Sequence, residues 1–301
     1  MKILYLGVHY HKNASKWRSE TFINESFNKN DVNTIRIDYR EILKKSDKNT
    51  LKELIKKEST KCDLIFLQRG ENLTTDLFSN INIPIIFWST EPINLKNDVD
   101  SLLKSKIFSW IYLHTYSCLD RVKREFPHLL KKSSVLHNAL PDNKVRLTDE
   151  TQKKHFAIFN RNLSLRRRRW LYPSWKYIKI IKNHYGDLYF DDLSKSYISI
   201  NIHYSSKNLD DFETGIFEAI ASNSVVVSER LDKRVLEDLH LQDAIIQVDS
   251  PKDLKYKLIY FKENIQELEK YKTNARKAIN KNTWTYRVSF VKNKFEEIIK
   301  N

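Results

Sequence analysis

Residues 197–229 read YISINIHYSSKNLDDFETGIFEAIASNSVVVSE, and this stretch predicts one strand-helix-strand unit. Residues 197–203 are apolar enough for a buried strand, 212–222 carry apolar residues at helical spacing, and 224–228 form a second apolar strand. Such a unit belongs to a parallel sheet, where ligands bind at the carboxyl ends of strands, beside the helices that follow. Glu218 falls early in this helix. A carboxylate there can accept paired hydrogen bonds from vicinal hydroxyls of a ribose or a hexose.

The same segment resembles the donor-site unit of GT-B glycosyltransferases, most closely the CgeB-like (spore maturation protein) branch of the group 1 glycosyl transferases. The matching residues are a strand ending in Asn201-x-His203, then Phe217-Glu218-Ala219 and the valine strand 225–227. Asp210 and Glu218 also resemble the spaced acid pair of retaining members, while Gly215 replaces a basic residue that many relatives carry. The resemblance implies donor contacts from His203, Asp210, Gly215, Ile216 and Glu218, and it makes Glu218 a candidate catalytic residue as well. The alternative is that Glu218 only hydrates the surface of its helix.

The amino terminus is similar to the same branch. The apolar strand MKILYLG stops at Gly7, and a long polar loop follows that lacks G-x-G-x-x-G, so a nicotinamide or flavin role is disfavoured. Matching positions are Tyr10, His11, Ser15, Arg18 and residues 37–41. His11 is a candidate catalytic residue on this side, and the alternative is a hydrogen-bonding residue at a strand end.

Five arginines lie within nine residues at 161–169. They are Arg161 and the run Arg166, Arg167, Arg168 and Arg169, which follow a strand at 155–159 and begin a predicted helix over 166–182. Positive charge at a helix amino terminus is costly unless an anion is bound. The resemblance implies that Arg161, Arg166 or Arg167 binds the diphosphate of the donor. The alternatives are a patch that contacts nucleic acid or membrane, and a surface that is simply hydrated.

Strands and helices alternate along the whole chain. Before residue 142 the pattern predicts six strands with helices between them, and one of these helices is predicted to span 41–58. After a polar stretch the alternation of strands and helices repeats from residue 153. The sequence therefore predicts an α/β protein, and the resemblance implies GT-B architecture: two Rossmann-like, doubly wound parallel-sheet domains facing across a cleft. The predicted boundaries are 1–142 for the acceptor domain, 153–282 for the donor domain and 283–301 for a terminal helix returning to the first domain.

Composition narrows the classes of function. A net charge of +15 favours anionic partners, among them nucleotide sugars, acidic polymers, lipid headgroups and nucleic acids, and it permits peripheral membrane contact. No apolar run reaches the roughly 20 residues of a membrane span and no secretory signal is evident, which predicts a cytoplasmic protein. The two cysteines lack metal-ligand spacing and are expected to be free thiols rather than a disulfide, and no D-x-D lies between a strand and its loop, so no metal centre is indicated.

The acceptor side is expected in the first domain. Glu91 follows a strand in FWSTEP, where a carboxylate could take a proton from an acceptor hydroxyl; the alternative is a turn residue. The resemblance implies a metal-independent glycosyltransferase of the hexosyltransferase class, using a nucleotide diphosphate sugar, UDP-sugar favoured, as co-substrate without a cofactor. Its acceptor hydroxyl could belong to a cell-surface, protein or nucleic-acid pathway. The alternatives are a basic nucleic-acid-binding protein and a DNA-modifying glycosyltransferase that combines both.

Overall fold

The computed structural model describes residues 1–9, 18–145, 152–206, 210 and 212–300. The chain divides into two compact units, one formed by residues 1–138 with 284–301 and the other by residues 139–283.

The first unit is built on a parallel sheet of six strands. The strands are β1 (Lys2–Gly7), β2 (Asn33–Asp38), β3 (Leu64–Gln68), β4 (Ile85–Ser89), β5 (Trp110–Leu113) and β6 (Ser133–Val135). Their order across the sheet is β2-β1-β3-β4-β5-β6. The helices between them are α1 (Ser19–Lys29), α2 (Tyr39–Lys45), α3 (Lys48–Ser59), α4 (Asp100–Leu103) and α5 (Tyr116–Glu125). β3 and β4 are buried on both faces, as parallel strands covered by helices are.

The second unit has a parallel sheet of five strands. The strands are β7 (His155–Phe159), β8 (Ile178–Ile180), β9 (Ser196–Asn201), β10 (Val225–Glu229) and β11 (Ile245–Val248), in the order β11-β10-β9-β7-β8. Its helices are α6 (Leu165–Leu171), α7 (Asp187–Ser194), α8 (Thr214–Ala221), α9 (Lys233–Asp238), α10 (Pro251–Glu263) and α11 (Leu268–Ile279). Because β9 pairs with both β7 and β10, the loops after these three strands lie side by side.

The last helix, α12 (Trp284–Lys300), packs within the first unit. Its Phe295 stacks on Phe27 of α1 with ring centroids 5.7 Å apart, and Trp284 meets Trp88 edge to face at 5.7 Å. Aromatic burial of this kind ties the carboxyl-terminal helix to the first sheet.

Two predicted helices are wrong in extent. The helix predicted over 166–182 ends at Leu171; a 3₁₀ helix (Tyr172–Tyr177) follows, and then strand β8. Pro173 lacks the N–H that a continuing helix needs, and the alternation of buried Ile178 with exposed Lys179 suits a strand. The helix predicted over 41–58 is divided, because Ser46 is extended and Asp47 caps α3 by accepting a hydrogen bond from Thr50 N at 2.8 Å.

Candidate functional site

Two buried arginines of the second unit converge on the carboxylate of Glu213. Arg161 lies in the loop between β7 and α6, and Arg167 lies in α6. Nη1 of Arg161 pairs with Oε2 of Glu213, and Nη2 of Arg167 lies 2.8 Å from its Oε1. The arginine side chains are 10% and 5% exposed, whereas Glu213 is 22% exposed. The most accessible member of this cluster is therefore the anion.

Arg167 is held in place by the backbone. Its Nε donates to the carbonyl of Ile202 at 2.7 Å and its Nη1 to the carbonyl of Asn162 at 3.1 Å. Burial lowers the pKa of Arg167, and the positive charge of Arg161 contributes to this, while Glu213 opposes it. Burial by itself would raise the pKa of Glu213, but Arg161 and Arg167 together hold that pKa below its ordinary value. The cluster thus consists of two cations with one internal counter-ion.

Gly215 makes room for the Arg161 guanidinium. A Cβ atom at position 215 would lie 2.2 Å from Nη2 and 2.5 Å from Cζ of Arg161. Gly215 lies inside α8, where glycine costs about 1 kcal/mol relative to alanine, so its presence here is explained by this close approach. The Arg161 guanidinium, from the loop between β7 and α6, thus occupies the space that a side chain at position 215 would need.

Glu218 lies beside the same arginine. The hydroxyl of Tyr189, from α7, donates a hydrogen bond to the Glu218 carboxylate. Burial raises the pKa of Glu218 above its ordinary value, and Arg161 and Tyr189 offset only part of that rise. Burial also raises the pKa of Tyr189, so the phenol remains a donor at neutral pH. Glu218 is therefore a carboxylate with one fixed donor and remaining acceptor capacity.

A cavity of about 550 Å³ opens next to this cluster, at the carboxyl ends of β7 and β8. Its volume is within the range of small-molecule sites. Arg161 and Tyr189, the two neighbours of Glu218, line it. Arg168, Lys182 and three asparagines, Asn160, Asn162 and Asn183, line it as well. The lining offers positive charge and amide groups, which suits an anionic ligand that also carries hydrogen-bonding groups.

Arg166 belongs to a different cluster. Its Nη1 donates to Glu229 at 2.8 Å and to the carbonyl of His203 at 2.7 Å, and its Nη2 also pairs with Glu229. The His203 N–H donates to Glu229 at 3.1 Å, and Nε2 of His203 lies 3.1 Å from the carbonyl of Arg230. Burial lowers the pKa of His203. These contacts join the ends of β9 and β10, so Arg166 and His203 are engaged with the scaffold.

Asp210 and Ile216 are the remaining residues that were predicted for the donor site. Asp210 is buried, with 3% exposure, and Ile216 is fully buried, with 0% exposure, as part of the apolar side of α8. Of the residues predicted for the donor site, the structure brings together Arg161, Arg167, Gly215 and Glu218.

In the first unit, Glu91 is paired with Arg69. Nη2 of Arg69 binds Glu91, Nε lies 2.9 Å from Glu71, and Nη1 lies 3.5 Å from Glu20. Burial lowers the pKa of Arg69, but the three carboxylates outweigh this and raise it. Glu91 therefore belongs to an ion-pair network at the carboxyl ends of β3 and β4. His11, the other predicted catalytic residue of this unit, lies outside the described residues.

Sequence reasoning missed Glu213 and Tyr189. The signal for Glu213 was the arginine run itself, since buried guanidinium groups require an anion and Glu213 is the acid at the start of α8. Tyr189 gave no local signal, because its role depends on α7 packing beside α8.

Within the described part of the chain, no group of three or more His, Cys, Asp or Glu side chains is arranged to hold a metal ion. None of the described helices is long and apolar enough to cross a membrane.

Residues 145–293 match a family described as Glycosyl transferase-like. No curated protein matches the chain. The family match covers residues 145–283 of the second unit and the first ten residues of α12.

Solved structures resemble the chain over its whole length. A glycosyltransferase from Rickettsia africae ESF-5 has 13% identity and a TM-score of 0.67, covering 100% of this chain and 99% of that one. Anabaena Alr3699/HepE in complex with UDP-glucose has 10% identity and a TM-score of 0.66, covering 99% and 100%. Sucrose-phosphate synthase from Thermosynechococcus elongatus has 10% identity and a TM-score of 0.62, covering 99% of each chain. At such identities the likeness is one of fold, and it confirms the predicted GT-B class with two Rossmann-like domains.

Proposed function

We propose that this chain, whose residues 145–293 match the Glycosyl transferase-like family, moves a sugar from a nucleotide diphosphate sugar to a hydroxyl acceptor. The observation that carries the proposal is the pair of buried arginines on Glu213 at the carboxyl edge of the second sheet, one of which, Arg161, also lies beside Glu218. UDP is the favoured nucleotide, since the similar Anabaena structure holds UDP-glucose. The CgeB-like branch remains the branch that the sequence motifs favour.

Arg161 and Arg167 would bind the diphosphate. A guanidinium group can give two hydrogen bonds to phosphate oxygens, as Arg161 would, and such charge-assisted bonds are short and strong. Arg167, whose Nε and Nη1 donate to backbone carbonyls, would contribute its Nη2. The positive charge would also stabilise the leaving nucleoside diphosphate, so this proposal requires no metal ion. Glu218, fixed by Tyr189, would accept hydrogen bonds from ribose or sugar hydroxyls.

Binding of the diphosphate requires an exchange of anions. The carboxylate of Glu213 is paired with both arginines. Glu213 precedes α8, but its side chain makes no capping hydrogen bond to that helix, so only the two ion pairs would be lost on its displacement. A diphosphate that approaches the arginines would displace this partly exposed carboxylate and could also accept from the N–H groups at the start of α8. The protein thus keeps its cation pair neutralised until the donor arrives.

On the acceptor side, we propose Glu91 as the residue that receives the proton of the attacking hydroxyl. Arg69 orients its carboxylate, and Glu91 is 33% exposed, so it is open to a ligand. His11 remains a second candidate for that role.

The test is turnover by the intact chain. UDP-, GDP-, dTDP- and CMP-sugars would each be incubated with the wild type, and release of free nucleotide would be measured with and without candidate polysaccharide, lipid-linked, protein and DNA acceptors. Consumption of one nucleoside diphosphate sugar, accelerated by one acceptor class, supports the proposal. Absence of turnover and of nucleotide binding, together with tight, salt-sensitive DNA binding, would favour a nucleic-acid-binding protein instead.

Replacing Glu213 by glutamine is expected to tighten nucleoside diphosphate binding about tenfold, because the incoming phosphate no longer displaces a charged competitor. The same change should lower the free energy of unfolding by about 3 kcal/mol, since two buried guanidinium groups lose their counter-ion. Calorimetric titration and denaturant unfolding measure both effects.

A matched control is Glu237→Gln, which removes a surface carboxylate 3.4 Å from Lys233 on α9 and should change neither quantity. If Glu213→Gln weakened nucleotide binding, Glu213 would be a residue that positions the arginines for the ligand, and the exchange of anions would be wrong.

A further inference from the structure

The segment after β7 is uniformly basic. Residues 164–183 contain seven cations and no acidic residue; the cations are Arg166, Arg167, Arg168, Arg169, Lys176, Lys179 and Lys182. Glu229 neutralises Arg166 and Glu213 neutralises Arg167. The other five side chains belong to exposed residues. Five exposed cations therefore lie along α6, the 3₁₀ helix that follows it and β8, with no acidic residue between them in the sequence.

The same surface exposes large apolar side chains. Leu165 is 66% exposed, Tyr172 77% and Trp175 48%, while Leu171 and Ser174 point inward and are fully buried. We call the exposed set the basic aromatic face; it consists of Leu165, Arg168, Arg169, Tyr172, Trp175, Lys176 and Lys179. Exposed apolar residues that are grouped and surrounded by polar ones mark an interaction surface.

We propose that the basic aromatic face docks on an anionic membrane surface. Tyrosine and tryptophan favour the headgroup region, where their apolar rings leave water and their polar atoms stay hydrated, and lysine and arginine are attracted to anionic lipid headgroups. Exposed Leu165 distinguishes this partner from nucleic acid, because an aliphatic side chain gains by entering the acyl boundary and offers nothing to a stacking base.

Docking would bring the cavity of the second unit close to the membrane. Arg168 belongs both to the basic aromatic face and to the lining of that cavity. The membrane proposal does not depend on sugar transfer, since it rests on the exposed charges and aromatic residues alone.

The experiment is co-sedimentation of the intact chain with vesicles of pure phosphatidylcholine and vesicles in which a third of the lipid is phosphatidylglycerol. We expect binding only to the anionic vesicles, weakening as NaCl rises because salt screens the attraction. The charge variant is Arg169→Glu with Lys179→Glu, and the apolar variant is Leu165→Ser with Tyr172→Ser. These four residues belong neither to the cluster formed by Arg161, Arg167 and Glu213 nor to the lining of the cavity.

Both variants should reduce the vesicle partition coefficient at least about tenfold. Matched controls in the first unit should bind as the wild type does. They are Lys56→Glu with Lys57→Glu, an identical change of charge on α3, and Leu95→Ser with Phe290→Ser, whose side chains are 51% and 46% exposed.

Three results would overturn the proposal. The first is equal binding to both kinds of vesicle, the second is anionic binding that the two variants leave unchanged, and the third is binding to single-stranded DNA that is tighter than binding to anionic vesicles and is lost in the same variants. The last result would assign the surface to nucleic acid. Thermal unfolding of each variant separates loss of docking from loss of fold.

Discussion

Replacing Arg161 by alanine should weaken nucleoside diphosphate binding by at least about 100-fold. Hydrogen bonds to charged groups contribute about 1.5–3 kcal/mol each, and Arg161 would supply a bidentate pair. The change also removes positive charge from Glu213 and Glu218, which Arg161 stabilises electrostatically. We therefore expect the free energy of unfolding to fall by about 3–5 kcal/mol. Arg169→Ala, an exposed arginine eight residues away, is the control and should bind nucleotide normally.

Gly215→Ala tests the same arginine without removing it. Alanine is favoured over glycine inside a helix by about 1 kcal/mol, so folding should be retained. The added methyl group would lie 2.2 Å from Nη2 of Arg161 and 2.8 Å from the hydroxyl of Tyr189, so the guanidinium and the phenol must move to accommodate it. We expect an affinity loss of about tenfold or more, with an unfolding free energy lower by about 1–2 kcal/mol, because crowding of the guanidinium costs about 1–3 kcal/mol and the helix preference for alanine offsets part of that. Wild-type affinity for nucleoside diphosphate in both Arg161→Ala and Gly215→Ala would show that Arg161 does not bind the diphosphate.

Replacing Glu218 by glutamine should lower kcat/KM for the nucleotide sugar by at least about 100-fold. The amide keeps the size of the side chain but loses the charge that strengthens hydrogen bonds from hydroxyl groups. Titration with free nucleotide identifies the partner, because a contact to ribose weakens UDP and UDP-sugar alike, whereas a contact to the sugar weakens only UDP-sugar. Glu263→Gln, an exposed position on α10, is the control; unchanged turnover in Glu218→Gln would remove Glu218 from the site.

The raised pKa of Glu218 adds a pH dependence. The ionised acceptor is present above that pKa and is lost as pH falls through it, so donor affinity should weaken on acidification at a pH above the ordinary value of 4.5. The free energy of unfolding changes in the opposite direction. It should rise as pH falls through this pKa, because protonation of Glu218 in the folded state removes the cost of burying its charge. Donor affinity in Glu218→Gln should lack this step in a titration across the acid range.

The strand-helix-strand unit at 197–229 could be predicted because burial leaves periodic patterns in the sequence. β9, α8 and β10 occur in the predicted order, and Arg161 and Glu218 are adjacent in the structure. Periodicity also misled, because the apolar spacing through Ile178 and Ile181 resembled a helix where Pro173 ends one and β8 follows.

The pairing of the arginines could not be predicted. Arg161 and Arg167 meet Glu213 because β7 lies next to β9 in the sheet, an order that does not follow the sequence. Local sequence likewise could not distinguish Arg166, which binds Glu229, from Arg167, its neighbour in α6. The sequence therefore indicates which residue types surround the site, and the order of the strands decides which of them meet.

Thermal unfolding of the intact chain with UDP, GDP and dTDP tests the central claim most directly, that Arg161, Arg167 and Glu218 form a donor site. A ligand at about 100 times its dissociation constant stabilises the fold by roughly 2.7 kcal/mol. We predict that one nucleoside diphosphate raises the midpoint in the wild type and in Glu237→Gln, and that Gly215→Ala reduces this shift. An equal shift in wild type and Gly215→Ala, or no shift with any nucleotide, would contradict the account.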